Sequence, residues 1–232
     1  MTAQIPLSLG FTARSTFDQF WPGGNEELVQ CLRCIAEGHG ERFLFLWGHN
    51  GCGRSHLLQA TSHLAHESGK HVSYLPMGSL LNYGPELLDG LEEQDLVCID
   101  DIDRVLGEAS YEHSLFRLYN QLRERQRALL VSAARPPKDL STHLPDLGSR
   151  LSWGLVFRVR PLNDQDTLAA IDLYARELGL ELPPQVGRFL LSHCRRDFAS
   201  LQRILEDLDR ATLAAKRKLT VPFVKNFLHE LA

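Results

Sequence analysis

The sequence predicts an α/β domain built on a parallel sheet, followed by a small bundle of helices. Three observations carry this. Up to Pro161, short apolar runs alternate with amphipathic stretches, the pattern of strand–helix–strand crossovers. After Pro161 no strand pattern remains and four stretches of helical spacing follow. One apolar run also opens onto the glycine-rich octet GHNGCGRS (48–55), placed between a buried strand and a helix as a phosphate-cradling loop requires.

The elements follow in order. Residues 1 to 20 read as extended or loose, interrupted by Pro6 and Gly10. EELVQCLRCIAE (26–37) has helical spacing, and RFLFLWG (42–48) is apolar throughout, as expected of a strand buried on both faces. After the loop, Leu57, Leu58, Ala60 and Leu64 set out a helix over 55–69. HVSYLPM (71–77) predicts a second strand, PELLDGLEE (85–93) a short helix and DLVCID (95–100) a third strand. Leu115, Leu118, Tyr119 and Leu122 form one stripe of a helix over 111–126. ALLVSAA (128–134) and LVFRVRP (155–161) predict strands four and five. NDQDTLAAIDLYARELG, PQVGRFLLSHC, DFASLQRILEDLDRATLAAKR and VPFVKNFLHELA supply the bundle. Asn163 is positioned to cap the first of these, with Asp164 and Asp166 in its positive first turn. The expected division is a tail at 1–12, an α/β domain at 13–161 and a helical domain at 162–232.

Composition narrows the function. Hydrophobic residues make up 44% and charged residues 23%, enough for a sizeable core. The net charge of -4 argues against a protein held on duplex DNA mainly by counterion release. No run of 18 apolar residues and no basic-then-apolar N-terminus occurs, so neither a membrane span nor a secretion signal is expected. Cys31, Cys34, Cys52, Cys98 and Cys194 are odd in number and scattered, which speaks against a disulfide framework and for a reducing cytoplasm. Cys31 and Cys34 form a CxxC without the further ligands of a zinc site, and are expected on a buried helix face.

The loop carries the chemistry. Gly48, Gly51 and Gly53 allow the backbone to aim successive N–H groups inward, and the following helix adds its positive end. Gly48, His49, Asn50, Gly51, Cys52, Gly53, Arg54, Ser55 and His56 are therefore expected around a nucleotide's phosphates. Ser55, through its hydroxyl, and Asp100, through water, are the expected partners of magnesium. Arg54 stands where the pattern has Lys, and Asp101 where the water-activating residue is usually Glu. A planar guanidinium cannot sit as a point charge between the β- and γ-phosphates. The Asp101 carboxylate lies about 1 Å further back, and a misplacement of that order costs roughly 100-fold. The expectation is nucleotide binding with little turnover.

TFDQFWPGGN (16–25), LWGHNGCGRSHLLQA (46–60), LVCIDDID (96–103), ARPP (134–137), LPDLGSRLSWG (144–154) and RKLTVPFVK (217–225) together resemble the AAA+ ATPases of the replication-initiator group, the relatives of the bacterial initiator DnaA. The likeness spans nearly the whole chain. It implies a P-loop AAA+ sheet with helices on both faces and a C-terminal helical lid, holding ADP or ATP, with magnesium as an optional companion ion. It implies that Arg150 is an arginine finger acting in a neighbouring molecule, with Asp101 a weak catalytic group. It places Ser132 at the γ-phosphate-sensing position and Phe20, Trp21 and Asn25 beside the base. The initiators' lid arginine falls at Ala199, with Arg195, Arg196 and Arg203 nearby. Gln4, Ile5, Leu7 and Leu9 match a peptide that docks on the DNA polymerase III β sliding clamp, where alternate side chains of an extended segment enter a pocket. The implied function is a negative regulator that converts ATP-bound DnaA to its ADP form, cytoplasmic, without strong duplex DNA binding or membrane contact, and compatible with a homo-oligomer. The competing reading is an ATPase in its own right, such as a helicase loader or clamp-loader subunit.

Overall fold

A computed structural model describes residues 15–195, 197–215 and 217–230. The chain divides into two units between Val159 and Arg160; the second also takes in Trp21–Gly24 and Asn50–Cys52. The expected clamp-binding residues Gln4, Ile5, Leu7 and Leu9 lie outside the described residues.

The first unit runs α1 (Glu26–Glu37), β1 (Phe43–Trp47), α2 (Arg54–Glu67), β2 (Val72–Pro76), α3 (Met77–Leu80), β3 (Leu96–Asp100), α4 (Ala109–Glu124), β4 (Ala128–Ala133), α5 (Pro145–Leu151) and β5 (Leu155–Arg158). The five strands form one sheet in the order β2-β3-β4-β1-β5, every pair parallel. The middle strands β1, β3 and β4 are buried almost throughout, which is why their sequences are continuous apolar runs. β3, β4 and β1 are neighbours, with Ile99 opposite Val131 and Leu46 opposite Ser132. Their carboxyl ends therefore gather Asp100, Ser132 and Gly48, the place where open parallel sheets put their ligands. Phe45, Met77, Ile99, Tyr111, Leu118 and Val131 pack into one core around this sheet.

Three local expectations differ from what forms. Residues 85–93 are not an α-helix but two 3-10 turns, Pro85–Leu88 and Leu91–Glu93, separated by Gly90 in the left-handed region at φ 82°. The fifth strand ends at Arg158, and as an edge strand it leaves Leu155 and Val156 exposed. The segment before it, to which the sequence assigned no element, contains α5. Pro145 opens that helix, where a missing N–H costs nothing, and Gly148 lies inside it. A Cβ on Gly148 would come 3.0 Å from the Thr142 hydroxyl, so close approach accounts for a glycine here.

The second unit is a helical bundle: α6 (Asp164–Glu177), α7 (Pro184–His193), α8 (Phe198–Ala215) and α9 (Val221–Glu230). Asn163 caps α6, its Oδ1 accepting the Asp166 N–H at 2.8 Å. Asp197 opens α8 in the same way, accepting the Ser200 N–H at 2.9 Å. Ile171, Val186, Leu190, Leu201, Leu205, Leu208 and Val224 are fully buried at its centre. No helix among the described residues is long and apolar enough to cross a membrane.

Candidate functional site

The loop after β1 turns into α2 through Gly53, which sits at φ 102° and ψ 10° as the residue ahead of the helix. A Cβ at Gly53 would meet Phe20 Cε2 at 2.7 Å, so conformation and packing both demand glycine. Gly53→Ala is expected to destabilise the protein by about 1–3 kcal/mol and to weaken nucleotide binding. A thermal melt together with a nucleotide titration checks this; an unchanged variant would mean the loop tolerates a left-handed alanine.

Arg54 and Asp101, the two residues that depart from the usual pattern, are joined to each other. Arg54 is buried, at 5% exposure. Its Nη2 donates to Asp101 Oδ1 at 2.8 Å and its Nη1 to the Gly48 carbonyl at 2.6 Å. The longer cation and the shorter acid thus match across the ends of β1 and β3. Asp101 adopts φ 55° and ψ 53°, a left-handed conformation that Asp tolerates better than most residues. Burial, then neighbouring Asp100, pushes the Asp101 carboxyl above the usual range, and Arg54 offsets this only in part.

Asp100 is buried at 4% and both of its oxygens are taken. Tyr74 Oη donates to Oδ2 at 2.8 Å, and Ser132 Oγ donates to Oδ1. Ser132 Oγ in turn accepts the Asp101 N–H at 2.9 Å. Gln59 Nε2 donates to Tyr74 Oη at 3.0 Å, and Ser15 Oγ to Gln59 Oε1 at 2.7 Å. Burial, then Asp100, raises the Tyr74 phenol far above its ordinary value, so it stays a donor. Ser132 is fully buried and ties two acids to β4.

Gly48 is buried, whereas His49 and Asn50 are exposed, and Ser55 is exposed in the first turn of α2. Asn50, Gly51 and Cys52 group with the second unit. His56 is half-buried beside Phe20, ring centroids 5.6 Å apart, with Nε2 2.8 Å from the Thr16 carbonyl; burial lowers its pKa. Of the aromatic segment, Trp21 donates through Nε1 to Asp166 Oδ1 at 3.1 Å, and Asn25 is buried. In the lid Arg195 pairs with Asp197 at 3.3 Å, Arg203 is exposed, and Arg196 lies outside the described residues. Cys31 and Cys34 are half-buried on α1, not on its fully buried face. No cluster of three or more His, Cys, Asp or Glu among the described residues is arranged to hold a metal.

Magnesium needs open oxygen ligands in near-octahedral geometry. Ser55 is available, but Asp100 presents neither oxygen and Asp101 Oδ1 faces a guanidinium. The expected pair of partners, Ser55 with Asp100, does not fit the ion.

Arg150 lies elsewhere. It is half-buried in the last turn of α5, before β5, and so at the amino end of the strands, opposite the loop after β1. Five residues of parallel strand separate the two ends by roughly 16 Å. Its guanidinium carbon lies 5.0 Å from the centroid of Trp153 and 5.7 Å from that of Tyr119. Arg123 lies 4.1 Å from the same indole, which is 49% exposed. A cleft of about 470 Å3 opens beside it, lined by Arg42, Tyr119, Arg123, Arg127 and Trp153. Sequence reasoning missed these aromatic rests, although Trp153 stands in the LSWG stretch.

It also missed Glu112, which is completely buried on α4. Its carboxylate accepts N–H groups from Gly107 at 2.8 Å, His143 at 3.1 Å and Leu144 at 2.7 Å. Leu144 immediately precedes α5, so this one side chain anchors the helix that carries Arg150.

A phosphate loop, an acidic strand end and a serine on three adjacent parallel strands, with a four-helix unit following, define a P-loop AAA+ module with a helical lid. Residues 11–158 match the family model described as the bacterial DnaA ATPase domain, and residues 164–228 match that of the Hda lid domain. The chain belongs to the bacterial DnaA ATPase-domain family, as an Hda-like, DnaA-related AAA+ protein. Its fold resembles domain III of the Thermotoga maritima replication initiation protein DnaA, with TM-score 0.82, 22% identity and coverage of 94% of this chain and 97% of that one. AMPPCP-bound DnaA from Aquifex aeolicus gives TM-score 0.72 and 22% identity over 85% of this chain and 65% of that one. The Thermotoga maritima RuvB branch migration motor gives 0.70 and 17% over 95% and 73%.

Proposed function

We propose that this chain is a nucleotide-bound negative regulator of replication initiation, which inserts Arg150 into the nucleotide site of ATP-bound DnaA and stimulates hydrolysis there. The observation that carries the reading is the position of Arg150. It lies at the end of the sheet away from its own phosphate loop and rests on exposed Trp153, so a nucleotide it reaches belongs to another molecule. A cation arriving at a γ-phosphate stabilises the charge of the transition state.

The chain's own nucleotide is a diphosphate that sets shape and is not turned over. Arg54 is engaged with Asp101 and Gly48, and buried Ser132 with Asp100 and Asp101, so neither is presented to a terminal phosphate. The same geometry weighs against the ATPase reading, in which Asp101 would activate water. Gln4, Ile5, Leu7 and Leu9 tether the protein to the sliding clamp on DNA, which raises its effective concentration near the initiator.

The test is a reconstitution with clamp loaded on DNA and ATP-bound DnaA, following conversion to ADP. The paired change Gln4→Ala and Leu7→Ala is expected to abolish clamp binding and most of the stimulation, with nucleotide affinity unchanged. Full stimulation by that variant would remove the clamp from the account.

A further inference from the structure

We propose that this site binds its nucleoside diphosphate without a divalent metal ion, Arg54 standing at the acidic strand end in the place of the metal's charge. The inference rests on the reading of the loop as a nucleotide site and goes beyond it in naming what balances the charge. In P-loop sites magnesium offsets both the phosphates and the acidic strand end. Here one of the two strand-end carboxylates, Asp101, is already paired with a cation, and the other, Asp100, accepts from the neutral donors Tyr74 and Ser132. The buried guanidinium of Arg54 bonds Asp101 at 2.8 Å and the loop carbonyl of Gly48 at 2.6 Å, so its charge is fixed at the start of α2. The phosphates are left to the positive end of that helix and to the N–H groups of the glycine loop.

Asp100, the residue that would reach the metal through water, has no open face. Tyr74 and Ser132 donate to its two oxygens, and the side chain is 4% exposed. Neither donor can swing aside alone. Tyr74 is held by Gln59, itself held by Ser15, and Ser132 also carries the Asp101 N–H. Admitting a hydrated ion would break at least one of these bonds in a buried setting and leave a polar group unpaired there. The fork of arginine suits this role because it holds a carboxylate and a carbonyl together, whereas an ammonium acts as a point charge.

The experiment is calorimetric titration of the full chain with ADP, once in magnesium and once in excess EDTA. The expected dissociation constants agree within about threefold. Weakening by about tenfold or more on chelation overturns the proposal. Absence of ADP binding in both buffers overturns it together with the nucleotide reading, an outcome distinct from metal dependence. The double variant Arg54→Lys, Asp101→Glu restores the ordinary pattern and is expected to make ADP binding magnesium-dependent; equal binding in both buffers would deny the ion pair its role. Thermal melts of both proteins provide a second readout, because bound ADP raises the melting temperature in proportion to its affinity. The wild-type rise is expected to survive EDTA, and its loss counts against the proposal.

Discussion

Arg150→Ala is expected to lose about 10³-fold or more of the stimulated hydrolysis of DnaA-bound ATP, with folding and ADP affinity unchanged. The side chain is half-buried, rests on aromatic faces and lies in the last turn of a short helix, so its removal leaves no buried polar group unpaired. A stability loss under about 1 kcal/mol is expected, the size of an exposed cation–π contact. Arg150→Lys is expected to be nearly as defective, because a flexible ammonium lacks the planar fork that matches phosphate. Trp153→Ala separates positioning from chemistry. It removes a rest that Arg150 shares with Arg123, and a graded loss of rate at saturating protein is expected in place of abolition. The measurement is single-turnover conversion of initiator-bound ATP to ADP. Wild-type rates from Arg150→Ala would sink the arginine-finger role.

Glu112→Ala is expected to have the largest effect on stability, about 3–5 kcal/mol, or a fall in melting temperature of roughly 6–20 °C. The change orphans the N–H groups of Gly107, His143 and Leu144 around a fully buried void. Any variant that remains folded is expected to lose stimulation as well, because Leu144 leads directly into α5. The same residue gives an acid sensitivity whose sign follows from its pKa. Burial pushes the Glu112 carboxyl up, and the three backbone donors, aided by His143, outweigh it and leave it below the ordinary value of 4.5. A depressed carboxyl stabilises the fold above its unfolded pKa, and this is lost as pH falls through the folded value. Stability is therefore expected to decline below about pH 4.5, and Glu112→Gln is expected to remove that part of the slope. An unchanged acid profile in Glu112→Gln would show that the carboxylate is not the titrating group.

What was legible in the sequence was local. GHNGCGRS between an apolar run and a helix, LVCIDD at a strand end and Asn163 ahead of a periodic stretch each announce themselves within about ten residues, and each forms the element expected. What was not legible depends on partners far along the chain. Arg54 and Asp101 read separately as two damaged motif positions, yet they meet across 47 residues as a pair. Glu112 is not one of the apolar stripe residues of its helix, and nothing near it in sequence names its partners at 143–144. α5 was hidden because Pro145, Gly148 and Ser149 are loop formers in isolation, and only the packing of Leu147 and Leu151 into the core makes them helical. Ser132 was legible as a polar residue at a strand end, but its bonds to Asp100 and to the Asp101 N–H arise only from the neighbouring register of β3 and β4.

The hydrolysed nucleotide is proposed to belong to the partner. The most direct measurement loads DnaA with labelled ATP and this protein with unlabelled ADP, adds clamp on DNA, and follows which protein carries labelled ADP over one turnover. Labelled ADP is expected to accumulate on DnaA, while this protein given ATP alone turns over little. Turnover by this protein alone at rates of about 1 per second or more, in the range of ordinary enzymes, with no change on DnaA, would contradict it.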